Sequence, residues 1–314
     1  MAQAGLPTAS DSDSDGINDA VEQALLTQFA PTFMISSQEC SSLPAQFASG
    51  ILSPTVQTEN GTIYGEVFPV KTSSASEHGA EIHFYHLWKQ DCGAHGHPLD
   101  AEHVSVLVQA SNNDLSSATW RAVYWYAAAH QNTVCDVSQI SRASTLGAEN
   151  HGATVWISAG KHASFLNETL CERGCGGDVC LETTPLFISQ IVNLGEPDHP
   201  MNGSLWIMSN GWPLAARMNS TDFPATAISR LNSLPATDIA WFNPGKHPMQ
   251  GTIAISGLTA DALANSGHST ASAISVGQDS TGNALKRSYR NTVKALGSAT
   301  RSIGRAFSST VGPK

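Results

Sequence analysis

Three residues in one short stretch have side chains that bind divalent metal ions. His97, Asp100 and Glu102 lie within six residues, directly before the apolar run 104–108. Side chains two residues apart in an extended chain point to the same face, so Asp100 and Glu102 project together, and the bend at Pro98 lets His97 fold back toward them. Carboxylates this close repel each other unless a cation lies between them. We therefore expect a metal site; a polar loop with its charges in water is the alternative.

The types of these ligands narrow the choice of ion. Two carboxylates and one imidazole suit a hard or borderline divalent cation, so Mg²⁺, Mn²⁺, Ca²⁺ and Zn²⁺ are the candidates. A single histidine without a thiolate argues against a structural zinc site. Few charges neutralise such an ion, and it would keep water ligands. It could then hold a sugar hydroxyl or a phosphate, or act as a Lewis acid.

A second metal-binding pattern lies near the N-terminus, where residues 11–22 match the calcium loop D-x-D-x-D-G-x-x-D-x-x-E. Gly16 permits the sharp turn, and Glu22 lies on a helix that begins near Asn18 and ends before Pro31. The pattern predicts a calcium ion that fixes this helix on the body; an acidic disordered tail is the alternative. The expected ligands are the side chains of Asp11, Asp13, Asp15, Asp19 and Glu22 and the backbone carbonyl of Ile17.

Short β-branched or aromatic runs bounded by Gly, Asn or Asp fill residues 31–255 and predict a mainly β fold. The architecture expected is a β-sandwich with long inserted loops, short helices, the N-terminal calcium-loop helix and a C-terminal basic helix. In the run 81–88, Ile82, Phe84, His86 and Trp88 share one face. The predicted strands are 62–70, 81–88, 104–110, 120–128, 153–158 and 204–208, and the predicted short helices are 160–168, 184–193 and 222–233.

The cysteine pattern predicts disulfide bonds. Six cysteines occur in a Ser/Thr/Gly-rich, Lys-poor chain, which is typical of a secreted or periplasmic protein. Cys171, Cys175 and Cys180 crowd a Gly-rich loop, so two of them pair or all three have partners elsewhere. A zinc site is the alternative, but the CxxC pairs typical of such sites are missing. Residues 1–4 resemble a mature N-terminus with an added Met, as expected if a leader has been removed.

The charge is unevenly distributed along the chain. The formal net charge is −10, yet seven of the 16 Lys and Arg residues lie from Lys286 onward, so the body is acidic and nucleic acid is not an expected partner. Residues 256–284 are Ser/Thr/Gly-rich and predict a linker. Residues 285–314 predict a basic amphipathic helix. This helix could lie on an anionic membrane or dock on the acidic body, and docking is the simpler interpretation. No apolar run approaches the ~20 residues of a membrane span.

Two further histidines, His130 and His162, each follow a predicted strand. Each binds the ion directly or through water, acts as general base on a metal-bound water, or is a buried residue that supports its loop. His103 should point away from Glu102 and is expected to be structural.

Several of these segments resemble the vacuolar protein sorting-associated protein 62-like family: His97-x-x-Asp100-x-Glu102-His103-Val104, Ala128-Ala129-His130, and the turn Gly160-Lys161-His162-Ala163-Ser164. The first is also similar to the G-H-R-H-D-W-E heptad of necrosis- and ethylene-inducing peptide-like proteins, which implies a metal-centred β-sandwich.

The resemblance covers residues 60–170, with departures from both patterns. Ala101 replaces their Trp, and Pro98-Leu99 replaces the residues between His and Asp, so toxicity is not carried over. The resemblance to the toxins implies an upstream acidic ligand, for which Asp91 is the nearest candidate.

Two functions from different classes follow. The first is a secreted metal-binding module that recognises a glycan or a lipid headgroup. The second is a metal-dependent hydrolase in which His130 or His162 is the base for a metal-bound water. A purely structural role for both ions is a third possibility. No G-x-S-x-G motif occurs, and nothing in the sequence fixes a reaction, so binding is the favoured hypothesis.

Overall fold

The computed structural model describes residues 10–71, 78–93, 96–112, 115, 118–175, 178–247 and 252–254. The chain divides into two units, residues 1–256 and 257–314. The predicted linker 256–284 and basic helix 285–314 lie outside the described residues. Among those described, no helix combines the length and the apolar character needed to span a lipid bilayer.

Strands dominate the first unit. The helices are α1 (Asp19–Gln28), α2 (Ala143–Leu146), α3 (Glu168–Arg173) and α4 (Ala225–Asn232), with 3₁₀ turns at Leu205–Met208 and Pro244–Lys246. The strands are β1 (Thr32–Ser36), β2 (Ala45–Phe47), β3 (Val56–Glu59), β4 (Thr62–Lys71), β5 (His78–Gln90), β6 (Pro98–Ala110), β7 (Trp120–Ala127), β8 (Gln139–Arg142), β9 (Thr154–Ile157), β10 (Ser164–Phe165), β11 (Thr183–Pro185), β12 (Gln190–Asn193), β13 (Gly195–Glu196), β14 (His199–Pro200), β15 (Asp238–Trp241) and β16 (Thr252–Ala254).

Two sheets pack face to face. The larger has eight strands in the order β12-β4-β5-β6-β7-β8-β15-β16, and the smaller has four in the order β10-β9-β1-β11. Alternate β5 residues such as Phe84 and Trp88 share one buried core with Phe33, Val155 and Phe165 of the smaller sheet. The mainly β sandwich predicted from the sequence is therefore confirmed.

The other face of the larger sheet is buried as well. Tyr85 and Leu87 of β5 pack with Trp206, Trp212 and Met218 from the long segment before α4. Further along the sheet, a third cluster is formed by residues of β7, β8 and β15 with the side of α4: Tyr126, Ile140, Phe223, Ala227, Leu231 and Ala240. Because β5 is covered on both faces, its sequence is almost continuously buried rather than alternating with water-facing positions.

Helix α1 forms where the sequence predicts it. The Asn18 side chain caps the helix by accepting a hydrogen bond from the Ala20 N–H. Leu26 packs so closely on β4 that a Cβ added to Gly65 would lie 2.1 Å from Leu26 Cδ2, so a larger residue at Gly65 would require the Leu26 side chain to shift. The calcium loop is thereby joined to the larger sheet.

Three local predictions are wrong and one is confirmed. Residues 205–208 form a 3₁₀ turn, because a short apolar run has no periodicity that separates strand from helix. The predicted helix 184–193 is replaced by the end of β11 and by β12, because Pro185 disfavours a helix and the β-branched Ile191 and Val192 favour a strand. The predicted helix 160–168 is a turn and β10, and α3 begins only at Glu168. Helix α4 lies within the predicted 222–233.

All six cysteines pair, as Cys40–Cys92, Cys135–Cys175 and Cys171–Cys180. The prediction of disulfides is confirmed. Two of the three cysteines in the crowded loop pair with each other, Cys171 with Cys180, which is the first of the two options left open. The third, Cys175, is bonded to Cys135.

Removing Cys40–Cys92 should destabilise the protein more than removing Cys171–Cys180. The bonds close loops with sequence separations of 52 and 9 residues, which corresponds to about 4 and about 2.5 kcal/mol of unfolded-state entropy. Urea unfolding of the two Cys→Ala double variants measures the difference. Equal losses of free energy would contradict the loop-length argument.

Candidate functional site

The calcium loop, residues 11–22, gathers five carboxylates, and some of their buried oxygens have no hydrogen-bond donor among the described residues. Asp13 is 2% exposed and Glu22 is 0% exposed. Among the described residues, neither carboxylate oxygen of Asp13 accepts a hydrogen bond, nor do Asp15 Oδ2 and Glu22 Oε1. One oxygen from each of Asp11, Asp13 and Asp15 lies within 4.8 Å of the others, as does one from each of Asp13, Asp19 and Glu22. Buried, unpartnered oxygens in this arrangement fit a cation such as Ca²⁺.

The raised pKa values of acids in the loop also fit a bound cation. Burial, followed by the neighbouring Asp13 and Asp15, raises the pKa of Glu22 to about 9. Burial likewise raises the pKa of Asp15 to about 6. Gathering these acids without a counter-charge is therefore costly, and a divalent ion would remove that cost.

The loop is tied to the body through Glu22. Asn193 Nδ2, at the end of β12, donates a hydrogen bond to Glu22 Oε2 at 2.8 Å. Ile17, whose backbone carbonyl is the expected sixth ligand, buries its side chain in the main core. Asp19 is held by the Ser12 backbone N–H and by the Ser10 and Ser12 hydroxyls.

The second set of predicted ligands, Asp91, His97, Asp100 and Glu102, lies where β5 ends and β6 begins; we call it the entrance cluster. Asp91 Oδ2 contacts Lys161 Nζ and lies 3.5 Å from His97 Nε2. The His97 side chain is 58% exposed. The ammonium group of Lys161 thus supplies positive charge beside Asp91, at the edge of the expected metal position.

The other half of the entrance cluster contains two like charges. Asp100 Oδ2 lies 2.7 Å from His162 Nδ1. No hydrogen bond to the Glu102 carboxylate is found within the described part of the chain. Burial, with added repulsion from Asp100 and Asp91, raises the pKa of Glu102 well above its usual range. Among the described residues the charge of Glu102 thus has no hydrogen-bond donor to stabilise it, and a cation could supply that stabilisation.

The four residues of the entrance cluster are neighbours without forming a closed shell. Within the described residues, no three of them bring ligand atoms within 4.8 Å of one another. The donor types fit a hard divalent ion, but binding would require the Lys161 side chain to move. A second metal at this position stays a proposal.

The pKa values of the two candidate bases, His162 and His130, are shifted in opposite directions. Burial lowers the pKa of His162, but Asp100 and Glu39 outweigh burial and raise it. His162 is fully buried, and its ring stacks on Trp88 at 4.0 Å, so it is held in place. Burial and Lys161 lower the pKa of His130, whose Nε2 lies 3.6 Å from Asp178 Oδ2. Of the two, His130 has the shift that favours the neutral imidazole which a general base needs.

His103 has the position expected from strand alternation. It lies on the opposite face of β6 from Glu102, and its Nε2 is 2.9 Å from Asp222 Oδ2. Of the two histidines on β5, His86 faces the sandwich core, with Nε2 2.8 Å from Ser164 Oγ.

Sequence reasoning missed Glu39, Lys161 and Asp178. Glu39 comes close to the entrance cluster because its neighbour Cys40 is bonded to Cys92, which follows Asp91. Its Oε1 lies 3.2 Å from His162 Nε2. The sequence shows that Glu39 precedes Cys40, but it does not show that Cys40 pairs with Cys92. Only knowledge of the disulfide partners would have revealed this contact.

A cavity of about 390 Å³ lies beside the calcium loop; we call it the amide cavity. Among the described residues, none of those that line it is charged. Phe47, Tyr64 and Trp206 contribute aromatic surface, and Ser49 and Ser204 contribute hydroxyl groups. Five amide side chains also line the cavity, Gln23, Gln46, Gln190, Asn193 and Asn202, together with Ile191, Val192 and Gly203.

Comparison with protein-family models gives no match, and comparison with curated proteins gives none. The resemblance to the vacuolar protein sorting-associated protein 62-like family is therefore not confirmed. Among solved structures, the chain is similar to proteins of the necrosis- and ethylene-inducing type.

Three of these structures show how distant the likeness is. NLPPya in complex with mannosamine is 15% identical, with a TM-score of 0.31 over 63% of this chain and 80% of that chain. A structure described as a toxin fold for microbial attack and plant defense is 14% identical, with a TM-score of 0.34 over 69% and 91%. Non-toxic HaNLP3 is 11% identical, with a TM-score of 0.33 over 56% and 74%. At these values we base no argument on the likeness.

Calcium should raise the melting temperature of the protein, and Asp13→Asn should abolish the rise. The ion offsets repulsion among buried carboxylates only in the folded state, so it stabilises that state. Differential scanning calorimetry in calcium and in EDTA measures the effect. Asp198→Asn, a control that changes an exposed acid outside the loop, should retain the full response. A wild-type melting temperature that ignores calcium would refute the site.

Proposed function

We propose that this is a secreted or periplasmic calcium-binding protein that recognises a neutral glycan in the amide cavity. The observation that carries the proposal is the lining itself: five amides, two hydroxyls and three aromatic side chains, with no charged group among the described residues. Amides both donate and accept hydrogen bonds, as hydroxylated ligands require, and the aromatic groups provide apolar surface for a sugar ring.

The same lining decides against a lipid headgroup. A phosphate-containing headgroup needs Lys, Arg or a metal to balance its charge. The body is acidic, and the described lining of the cavity contains no Lys, no Arg and no acid that could bind a metal at this position. A glycan without charge incurs no such cost, so it is the better match of the two ligands considered.

Calcium is connected to this cavity through two lining residues. Gln23 lies on α1, one residue after the calcium ligand Glu22, and Asn193 donates its hydrogen bond to Glu22. An ion that fixes Glu22 therefore also fixes these two amides. Glycan binding should depend on calcium through this positioning rather than by a direct bond from the ion to the sugar.

An oxidising, calcium-rich compartment suits this protein. Three disulfides would persist there, and extracellular calcium modules commonly have weak sites that millimolar calcium fills. Export is thus part of the proposal.

A second candidate function is a metal-dependent hydrolase at the entrance cluster. The observation that favours it is the lowered pKa of His130 near Asp91 and Asp100, with Asp100 and Glu102 as ligands for a divalent ion, whether Mg²⁺, Mn²⁺, Ca²⁺ or Zn²⁺. His162 does not fit the role of base, because its two ring nitrogens face Asp100 and Glu39.

Gln23→Ala and Gln190→Ala should each weaken glycan binding by about threefold to tenfold, the effect of one lost hydrogen bond. A glycan array probed with the full chain identifies the ligand, and titration calorimetry measures the affinities. Neutral oligosaccharides are the first probes, because none of the described lining residues is charged.

Two controls make this test specific. Gln38→Ala changes an exposed amide outside the cavity and should leave the affinity unchanged. Chelation of calcium should weaken binding without unfolding the body. Binding to anionic liposomes in place of glycans, or affinities indifferent to Gln23 and Gln190, would contradict the proposal.

A panel of phosphoester, ester and glycoside substrates with Mn²⁺, Mg²⁺ or Zn²⁺ should show no turnover if glycan binding is the whole function. Turnover that disappears in Asp100→Asn and His130→Gln, and persists in Gln38→Ala, would establish the hydrolase instead.

A further inference from the structure

A third set of potential ligands lies on the face of the larger sheet that points away from the smaller one. Glu81 and His83 come from β5, His103 from β6 and Asp222 from the segment before α4; we call them the sheet-face cluster. All four are at most 1% exposed. Two imidazoles and two carboxylates in the interior form a polar group that the calcium loop, the amide cavity and the entrance cluster do not use.

Strand geometry explains how these residues meet. Glu81 and His83 are two apart on β5 and share a face, and the antiparallel register places Tyr85 opposite His103 on β6. The ring centroids of His83 and His103 are 5.8 Å apart. Asp222 lies over both strands, because the residues around it cross this face of the sheet before α4 begins.

Among the described residues, three of the four ligands, Glu81, His83 and Asp222, already bring ligand atoms together, whereas His103 joins them only through its contact with Asp222. His83 Nε2 lies 2.8 Å from Glu81 Oε1 and 3.6 Å from Asp222 Oδ2. His103 Nε2 lies 2.9 Å from the same Asp222 oxygen. A tetrahedral zinc ion with bonds of about 2.0–2.1 Å separates its ligand atoms by about 3.3 Å. The two shorter pairs would need to open by only about 0.5 Å to admit the ion.

We propose that Glu81, His83, His103 and Asp222 bind a structural Zn²⁺ ion that fastens the segment before α4 to the sheet. Two neutral imidazoles and two carboxylates give such an ion four protein ligands and cancel its charge, as a closed structural site requires. One ligand atom from each of Glu81, His83 and Asp222 already lies within 4.8 Å of the others.

Neighbouring groups orient the proposed ligands. Thr221 Oγ1 donates to Glu81 Oε2 at 2.6 Å, and Ser105 Oγ donates to Asp222 Oδ2 at 2.5 Å. His83 Nδ1 lies 3.0 Å from Tyr85 Oη, whose hydroxyl donates to Glu66 Oε2 at 2.6 Å. Hydrogen bonds of this kind fix the rings and carboxylates of metal sites.

A proton on His83 would compete with the zinc ion, because either one can supply the positive charge at this position. Burial lowers the pKa of His83, but Glu81 and Asp222 outweigh it and raise the pKa to about 9. In the protein without zinc, a histidinium ion would therefore supply the charge. The two states differ in measurable ways: one contains bound metal, and the other contains only protonated histidine.

Metal analysis of the full chain tests the proposal. The protein, free of any polyhistidine tag, is refolded with zinc, dialysed against EDTA to empty exposed sites, and measured by plasma mass spectrometry. We expect about one equivalent of zinc per chain to remain, because the buried ion cannot exchange without local unfolding. Folded, glycan-binding protein without zinc after this treatment would overturn the site.

Variants locate the ion. His83→Gln should lose the zinc, whereas His97→Gln in the entrance cluster and Asp13→Asn in the calcium loop should retain it. If His83→Gln fails to fold, cobalt-substituted wild type decides the matter. Tetrahedral nitrogen and oxygen ligation gives strong visible absorption, and weak octahedral absorption or zinc loss in His97→Gln would reject the proposal.

Discussion

The acidity of this body makes the burial of carboxylates the constraint on which the rest of the structure depends. An ionised acid removed from water needs a donor or a cation, and its pKa rises when it has neither. The chain meets this need in three ways. Asp91 has the ammonium group of Lys161, Asp222 has two histidines, and Glu22 has only one amide, which is why its surroundings favour calcium.

The sandwich places these three groups of buried acids in different parts of the structure. Because the larger sheet is covered on both faces, consecutive residues of β5 and β6 serve different environments: Glu102 belongs to the entrance cluster while its neighbour His103 belongs to the sheet-face cluster. The calcium loop is attached elsewhere, through α1 on β4 and β12. Each polar group is thus surrounded by apolar packing that keeps it distinct from the others.

What the sequence predicted was local, and what it missed depends on contacts between distant segments. Helix α1 and most of the strand runs follow from spacing within a few residues, and the structure agrees with them, while the calcium ion of residues 11–22 stays a prediction. The 3₁₀ turn at Leu205–Met208 was missed because four apolar residues are compatible with several conformations. The role of Glu39 depends on a disulfide, and the cavity draws amides from segments as far apart as Gln23 and Asn202, which no short pattern could reveal.

The hydrogen bond between Asn193 and Glu22 spans 171 positions of the chain, and this has a consequence for biogenesis. The N-terminal acids leave the ribosome first, but the residues that dock and partner them are synthesised much later. The loop therefore waits, solvated and unassembled, until β12 is available. Its final arrangement thus depends on the pairing of β12 with β4, two strands that are far apart in the chain.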